Sequence, residues 1–333
     1  MGSKKRIQFI DFCKGCQNAF TNFLKEFNYE FEIVTNNAQI IFISVFGATP
    51  SVMLKKLSEK HKTVFYTGES GRLGGKSRII PRINPYAHLN LTFENTSQYN
   101  NIRYPLWLLY AQIHKSEMRK ELTNMKLTTK PIHGFCSFVY SNPIKHRDDF
   151  FKQLSTYKKV YSGGRCFNNV TENAFTHAEV EKMTTPKIKK ALKQHGLSNQ
   201  GLNDDLKARL LKVRVNVKDK LEFQTKYKFC IAYENCSQEG YTTEKIFDAY
   251  RSNSIPIYYG SITITDDFNP QTFINAHDFN SIDSLINYIK KVDNDDDLYN
   301  SFMNKPIFSE KWLNIFKDPQ ATFFKNIAQK IMT

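Results

Sequence analysis

Apolar residues along the chain recur in two rhythms. In the first third, short apolar runs stand between turn residues: IQFIDF (7–12), YEFEIVT (29–35), IIFISVFG (40–47) and TVFYTG (63–68). Runs of this length, rich in Ile, Val, Phe and Tyr and bounded by Gly47 and Thr49-Pro50, predict β-strands. Between the first two, CQNAFTNFLKEF (16–27) spaces its apolar residues by three and four and predicts an amphipathic helix. The rhythm restarts near residue 132. GFCSFVYSNP (134–143) predicts a strand closed by a turn, HRDDFFKQLSTY (146–157) a helix, and KYKFCIAYEN (226–235) a strand. A helix opens near Thr243, and SIPIYYGS (254–261) predicts another strand. Strand, helix, strand with short connections is a parallel βαβ unit, so the chain reads as α/β throughout. SIDSLINYIKKV (281–292) adds a helix, and Asp318-Pro319 offer an N-cap and N1 pair for a last one, QATFFKNIAQKIM.

Residues 184–214 break this pattern. TTPKIKKALKQHGLSNQGLNDDLKARLLKVR predicts two short helices. Thr185 is the expected cap of the first, with Pro186 at N1 and Gly196 at its end; Asn203 is the expected cap of the second, with Asp204 and Asp205 in its first turn. From Lys187 to Lys220 there are ten Lys or Arg against three Asp, nearly half of the chain's net charge of +15. The segment reads as a basic insert. A basic balance suits nucleic acid, an anionic membrane or phosphorylated small molecules, and does not choose among them.

No run approaches the roughly 18–20 apolar residues of a membrane span, and MGSKKRIQFIDFCKG lacks the apolar core of a secretory signal. The six cysteines are Cys13, Cys16, Cys136, Cys166, Cys230 and Cys236. C-K-G-C (13–16) has no second pair at matching spacing, so a zinc site is not indicated. The expectation is a soluble, cytoplasmic protein with reduced cysteines. No histidine spacing carries a mechanism, and no Ser-His-acid set is evident.

The chemistry concentrates at FCIAYENCSQEGYTTEKIFDAY (229–250). With Thr242 as N-cap, Lys245 becomes the N3 residue, where a capping box takes Glu or Gln. Two readings stand: an anion site in which the helix N-terminus and the lysine share one ligand, or a solvated lysine extending past the helix end.

The wider stretch FCIAYENCSQEGYTTEKIFDAYRSNSIPIYYGS resembles the donor-site signature of the α1,3-fucosyltransferases. The likeness continues through DFNPQTFINAHDF (267–279), KLEFQTKYKF (220–229), FVYSNPIKHRDDF (138–150), YSGGRCFNN (161–169) and VFYTGES (64–70), the last looking nearest to soluble bacterial members. The resemblance implies a GT-B architecture, two Rossmann-like domains facing across a cleft. It implies inverting transfer of L-fucose from GDP-β-L-fucose to a hydroxyl of an oligosaccharide acceptor, with no cofactor and no required metal. On this reading residues 1–131 form the acceptor-side domain. Residues 132–310 bind GDP-fucose and carry the insert at about 180–218, and 311–333 form a C-terminal helix.

The resemblance also implies roles. Lys245 matches the lysine at the donor phosphates, Glu244 its acidic neighbour at donor hydroxyls, and Arg147 the arginine facing the pyrophosphate. Glu234, Asn235, Tyr241 and Thr243 fall at positions lining the donor pocket. Glu69 is the candidate base, matching the acid of a Y-T-G-E segment; the plain alternative is a surface glutamate, and Glu94 in FENTS (93–97) is the rival carboxylate. The insert resembles a SAP motif through Gly196-Leu197-Ser198, Gly201, Leu206 and Arg209-Leu210, though the lysine usual after the second glycine is missing. SAP motifs are associated with DNA, so nucleic acid is a possible partner of 184–214. A charged excursion that shapes the acceptor cleft or meets a partner is the preferred reading. The N-terminal third matches least, which leaves the acceptor open.

Overall fold

Two wholly parallel sheets organise the chain. The computed structural model describes residues 4–47, 51–70, 83–171, 173–195 and 197–333. The first sheet contains β1 (Lys5–Ile10), β2 (Phe31–Ile33), β3 (Ile40–Ile43), β4 (Lys62–Thr67), β5 (Leu89–Thr92) and β6 (Asn101–Arg103), in the order β2-β1-β3-β4-β5-β6. The second contains β7 (Gly134–Ser137), β8 (Val160–Tyr161), β9 (Tyr227–Tyr233), β10 (Ile255–Tyr259) and β11 (Ile274–Asn275), in the order β11-β10-β9-β7-β8. Every pairing is parallel. Counted within each sheet, both follow the doubly wound order 2-1-3-4-5, with β6 added to the first. Each therefore has a switch point between its first and third strands, β1/β3 and β7/β9, and ligands of such sheets bind beyond the carboxyl ends there.

The central strands are covered on both faces, so they read as continuous apolar runs. All four residues of β3 are buried, and β9 is buried along nearly its whole length. β5 and β6 escape the sequence pattern because they bury polar side chains. Asn90 is fully enclosed, donating to the Asn84 and Tyr99 carbonyls and accepting from the Asn84 amide. Asn101 donates to the Glu94 and Thr96 carbonyls and accepts from Thr92 Oγ1. Buried polar atoms are tolerated when bonded in this way.

The sheets are joined by an aromatic cluster. Trp107, from the helix Leu106–Tyr110, packs on Phe247, Phe268, Phe308 and Trp312, with ring centroids 5.1–6.4 Å away. Two helices follow at the C-terminus rather than one: Glu310–Lys317 and Thr322–Met332. The second starts later than Asp318-Pro319 suggested, because Ala321 takes a left-handed turn at φ 51. Asp318 still serves its start, accepting from the Thr322 amide at 2.7 Å.

The insert has its own core. A third helix, His177–Glu181, closed by a Thr176–Glu179 capping box, joins Thr185–Gln194 and Asn203–Leu210. Val180, Ile188, Leu192, Leu206 and Leu210 pack together inside it. Thr184 and Leu202 occupy the cap positions, one residue ahead of the expected Thr185 and Asn203. Gly196, Thr49 and Pro50 lie outside the described residues. The insert's ends meet, with the Ala174 amide donating to the Val213 carbonyl at 2.7 Å. Among the described residues no helix is long and apolar enough to cross a membrane.

Candidate active site

At the carboxyl end of β9 the apolar run stops at Glu234, whose side chain is wholly buried. The chain then loops through 235–243 and enters the helix Glu244–Arg251. Gly240 lets the loop turn. It sits at φ +71, and a Cβ there would lie 2.3 Å from the Phe93 carbonyl oxygen. Its amide donates to Ser261 Oγ at 2.9 Å.

The N-cap is Thr243, not Thr242, which makes Lys245 the second helical residue rather than the third. The cap is unusual: the Thr243 side chain does not bond the helix's own amides. Its amide and hydroxyl instead go to the Glu234 carboxylate at 2.7 and 2.8 Å. Lys245 Nζ completes the cluster, 3.0 Å from Glu234 Oε2 and 2.9 Å from Thr243 Oγ1, with Glu244 Oε1 at 3.6 Å. Burial works to lower the Lys245 pKa, but Glu234 and Glu244 outweigh it and the pKa is raised. Burial pushes the Glu244 carboxyl upward, yet Lys245 and Lys220 bring it below the ordinary value. A lysine out of place by helix rules is thus explained by the strand beside it.

Arg147 comes from the first turn of the helix Lys145–Ser155, which follows β7. It is 2% exposed. Its Nε donates to the Glu234 carbonyl at 3.2 Å and its Nη2 to the Tyr233 carbonyl. His146 Nε2 lies 3.0 Å from the same Glu234 oxygen. Arg147 and Lys245 therefore flank the β7/β9 switch point, from the helices that follow β7 and β9. Asn235 Oδ1 is buried without a hydrogen-bond partner among the described residues. Tyr241 is 1% exposed, packed edge-to-face on Phe93 at 5.4 Å.

Glu69 stands just past the end of β4 in the first sheet, its amide donating to Thr67 Oγ1 at 3.1 Å. Burial raises its pKa above the ordinary carboxylate value; Lys245 opposes this, while Glu244 and Glu234 add to it. Glu69 therefore lies within electrostatic reach of the cluster on the second sheet. The next residue, Ser70, is hydrogen-bonded to the Cys236 side chain of the 235–243 loop. Glu94 accepts from Gln238 Nε2 of that loop at 3.2 Å.

Sequence reasoning missed the clamp that fixes this loop. Arg103, at the end of β6, makes a two-pronged bond to Asp267 at 2.6 and 2.7 Å and also donates to the Gly240 carbonyl at 3.3 Å. Trp312 Nε1 donates to Asp267 Oδ1 at 2.9 Å. Asp267 opens the segment DFNPQTFINAHDF, which drew notice, but nothing in the sequence pairs it with an arginine 164 positions earlier. All six cysteines are free; Cys13 caps the helix Lys14–Glu26, accepting from the Cys16 amide at 3.1 Å. Among the described residues no group of three or more His, Cys, Asp or Glu could hold a metal ion.

The chain is similar to known proteins. The pattern described as glycosyltransferase family 10 (fucosyltransferase) C-term matches residues 128–312, and that of the alpha-(1,3)-fucosyltransferase FucT N-terminal domain matches residues 7–110. The alpha-(1,3)-fucosyltransferase FucT of Helicobacter pylori is 44% identical over 198 residues, 59% of this chain and 31% of that protein. The aligned region thus spans less than a third of that relative's length. A crystal structure of an α1,3-fucosyltransferase with GDP-fucose superposes with a TM-score of 0.62 at 23% identity, covering 99% of this chain and 93% of the other. The DNA-modifying β-glucosyltransferase superposes with a TM-score of 0.51 at 10% identity, covering 98% and 100%. The two structural likenesses establish a GT-B-like fold of two parallel α/β sheets. With more than half of its length matched by the C-terminal pattern alone, the chain belongs to glycosyltransferase family 10, the fucosyltransferases.

Proposed function

We propose that the chain moves L-fucose from GDP-β-L-fucose to a sugar hydroxyl with inversion, as an α1,3-fucosyltransferase. The target hydroxyl is O3 of a GlcNAc or Glc unit in a Gal-containing glycan. One observation carries the reading: Lys245 and the buried Arg147 converge on Glu234 at the carboxyl end of β9, and Gln238 of the loop that follows bonds Glu94 of the first sheet, the sheet that carries Glu69. In the reaction Glu69 takes the acceptor proton. The freed oxygen attacks the anomeric carbon, and the bond from that carbon to the β-phosphate oxygen breaks. GDP departs with the bonding pair, its charge stabilised by Lys245 and the buried Arg147. Fixed cations in a water-poor site act strongly on developing charge. A base with a raised pKa is better matched to neutral pH.

Glu244 and Asn235 are the assigned partners of donor hydroxyls, Asn235 through its unbonded Oδ1. Tyr241 and Thr243 frame the pocket, and Glu234 holds Thr243 and Lys245 in place. Residues 1–131 form the acceptor side and 132–310 the donor side in this assignment. The test is transfer from GDP-fucose to N-acetyllactosamine, lactose and GlcNAc glycosides. Glu69→Gln abolishes transfer with donor binding retained; transfer at the normal rate removes Glu69 as the base. Thermal shift with GDP, UDP and their sugars separates this reading from a transferase using another nucleotide sugar, since a ligand of the folded state raises the Tm.

The insert favours a second role beside this one. It keeps the SAP-like spacing around Gly201, Leu206 and Arg209-Leu210, and the segment around its separate apolar core is rich in Lys and Arg. Salt-dependent binding of duplex DNA that is lost on excising the insert supports contact with nucleic acid. Its absence leaves the insert as a wall of the acceptor cleft.

A further inference from the structure

Just past the carboxyl end of β1 stand two cysteines one helical turn apart, Cys13 and Cys16, and the transfer reaction uses neither. Cys13 is the N-cap of the helix Lys14–Glu26, and the Cys16 amide donates to its Sγ at 3.1 Å. The Cys16 side chain is also hydrogen-bonded to the Cys13 side chain, so the two sulfurs are neighbours. Both are free thiols, and both residues are half-buried. Both line a cavity of about 590 Å³ that is also lined by Glu69.

Capping does not account for this pair. Ser, Thr, Asp and Asn are the preferred N-caps, and sulfur is a weak acceptor. Nor does packing account for Gly15 between them: glycine is a poor helix former, and a Cβ there would meet nothing within 4 Å. The turn that carries the thiols is therefore open to approach, with Lys14 exposed beside Cys13 as a cation for an anionic reagent. The thiolate is the attacking form of cysteine, and amides at a helix N-terminus favour negative charge on the group they point at. Cys13 Sγ is the sulfur so placed. Burial, followed by the bond to the Cys13 thiol, raises the Cys16 pKa, which makes Cys16 the slower nucleophile.

We propose that Cys13 and Cys16 are a dithiol modification site for low-molecular-weight disulfides, in which Cys13 is the thiol modified and Cys16 the thiol that resolves the adduct. The Cys13 thiolate attacks one sulfur of the reagent. A bond from Cys13 Sγ forms, the reagent's S–S bond breaks, and one thiolate leaves. Cys16 then gives up its proton and attacks the Cys13 sulfur. The second half of the reagent leaves as a thiolate, and a Cys13–Cys16 disulfide remains. In total the two protein thiols lose two electrons and two protons, and one reagent disulfide is reduced to two thiols. The adduct at Cys13 fills the cavity beside Glu69 and stops transfer, and the second step clears it. That consequence rests on the reading of Glu69 as base; the thiol chemistry does not.

The experiment is incubation of the full folded chain with oxidised glutathione, alkylation of the remaining thiols and mass mapping of tryptic peptides, with fucose transfer measured on the same samples. Trypsin cuts after Arg6, Lys14 and Lys25, so the disulfide joins IQFIDFCK to GCQNAFTNFLK. Wild type gives that linked pair and retains transfer. Cys16→Ser cannot resolve the adduct, so IQFIDFCK carries one glutathionyl group; transfer is lost in proportion to the modified fraction and returns on reduction with dithiothreitol. Cys13→Ser keeps a capping side chain and the wild-type Tm, and neither peptide is modified. Absence of the linked peptides in wild type overturns the proposal. So does an unmodified Cys13 in Cys16→Ser, or glutathionyl uptake at Cys16 in Cys13→Ser as fast as at Cys13. A glutathionylated Cys16→Ser chain that transfers fucose at the unmodified rate overturns the blocking step. If untreated wild type transfers no fucose, the proposed function fails while the peptide map still decides the thiol chemistry.

Discussion

Replacing Glu234 by glutamine removes a charge and almost no volume, so its effect measures the electrostatic cluster itself. The carboxylate is fully enclosed and receives the Thr243 amide, the Thr243 hydroxyl and Lys245 Nζ at 2.7–3.0 Å. A glutamine cannot accept at all of these, and its amide would point N–H groups at the ammonium. Breaking a buried pair from one side costs about 3–5 kcal/mol, because the remaining charge is left uncompensated. Glu244, at 3.6 Å from Lys245, recovers a fraction and sets the expected loss at the lower end. With an unfolding entropy near 0.7 kcal/mol/K for a chain of this length, about 3 kcal/mol lowers the Tm by about 4 °C. Differential scanning calorimetry reads the shift. Adding Lys245→Met to Glu234→Gln removes the stranded cation, and the double variant should lose about 2 kcal/mol less than the sum of the single ones. A Tm within 1 °C of wild type, or additivity to within about 0.5 kcal/mol, refutes the reasoning. The raised Lys245 pKa contributes stability that is complete below the ordinary lysine value and is lost as pH rises through the raised one, so measurements near pH 7 see all of it.

Other outcomes follow from the same geometry. Arg103→Leu leaves Asp267 buried and unpaired and frees the Gly240 carbonyl; unfolding free energy falls by about 3–5 kcal/mol and donor KM rises, and an unchanged urea midpoint counts against the clamp. Because the folded state favours the protonated form of Glu69, the acid limb of kcat/KM lies above about 4.3, the ordinary glutamate value; a limb at that value contradicts the burial argument. The same raised pKa works against folding as pH climbs through it, so Glu69→Gln matches the wild-type Tm near pH 4 and exceeds it at pH 8, and a pH-independent difference would be inconsistent with this linkage. Replacing 175–212 by a two-residue Gly-Ser link preserves the Tm of the remainder to within a few degrees, since the Ala174–Val213 bond already closes the ends; loss of cooperative unfolding shows that the insert supports the second sheet.

Local pattern accounts for a good part of this protein. The apolar runs of β3, β4, β7, β9 and β10 stood out because strands buried along most of their length contain mainly apolar residues. The segment from Glu234 to Lys245 drew notice because it disobeys helix-capping preferences, and such conflicts collect at sites where tertiary demands prevail. Within it, sequence indicated the residue types and offered an anion site as one of two readings of Lys245. It misplaced the cap by one residue, since the Thr243 hydroxyl bonds a strand carboxylate rather than the helix's own amides.

The tertiary structure decided the rest. β5 and β6 were hidden because Asn90 and Asn101 are buried with their bonds supplied by residues several positions away. Arg103 and Asp267, 164 residues apart, meet only when the two sheets dock, and no local periodicity records a pair at that separation. The environment of Glu69 is likewise a property of the assembled cleft: its pKa is raised by burial and modulated by charges on the opposite sheet. Sequence alone determined the most apolar strands, several of the helices and the residue types available for chemistry, because hydrophobic periodicity and backbone capping act over a few residues. Which carboxylate faces which cation was decided by burial and long-range packing, which set distances that no short stretch of chain encodes.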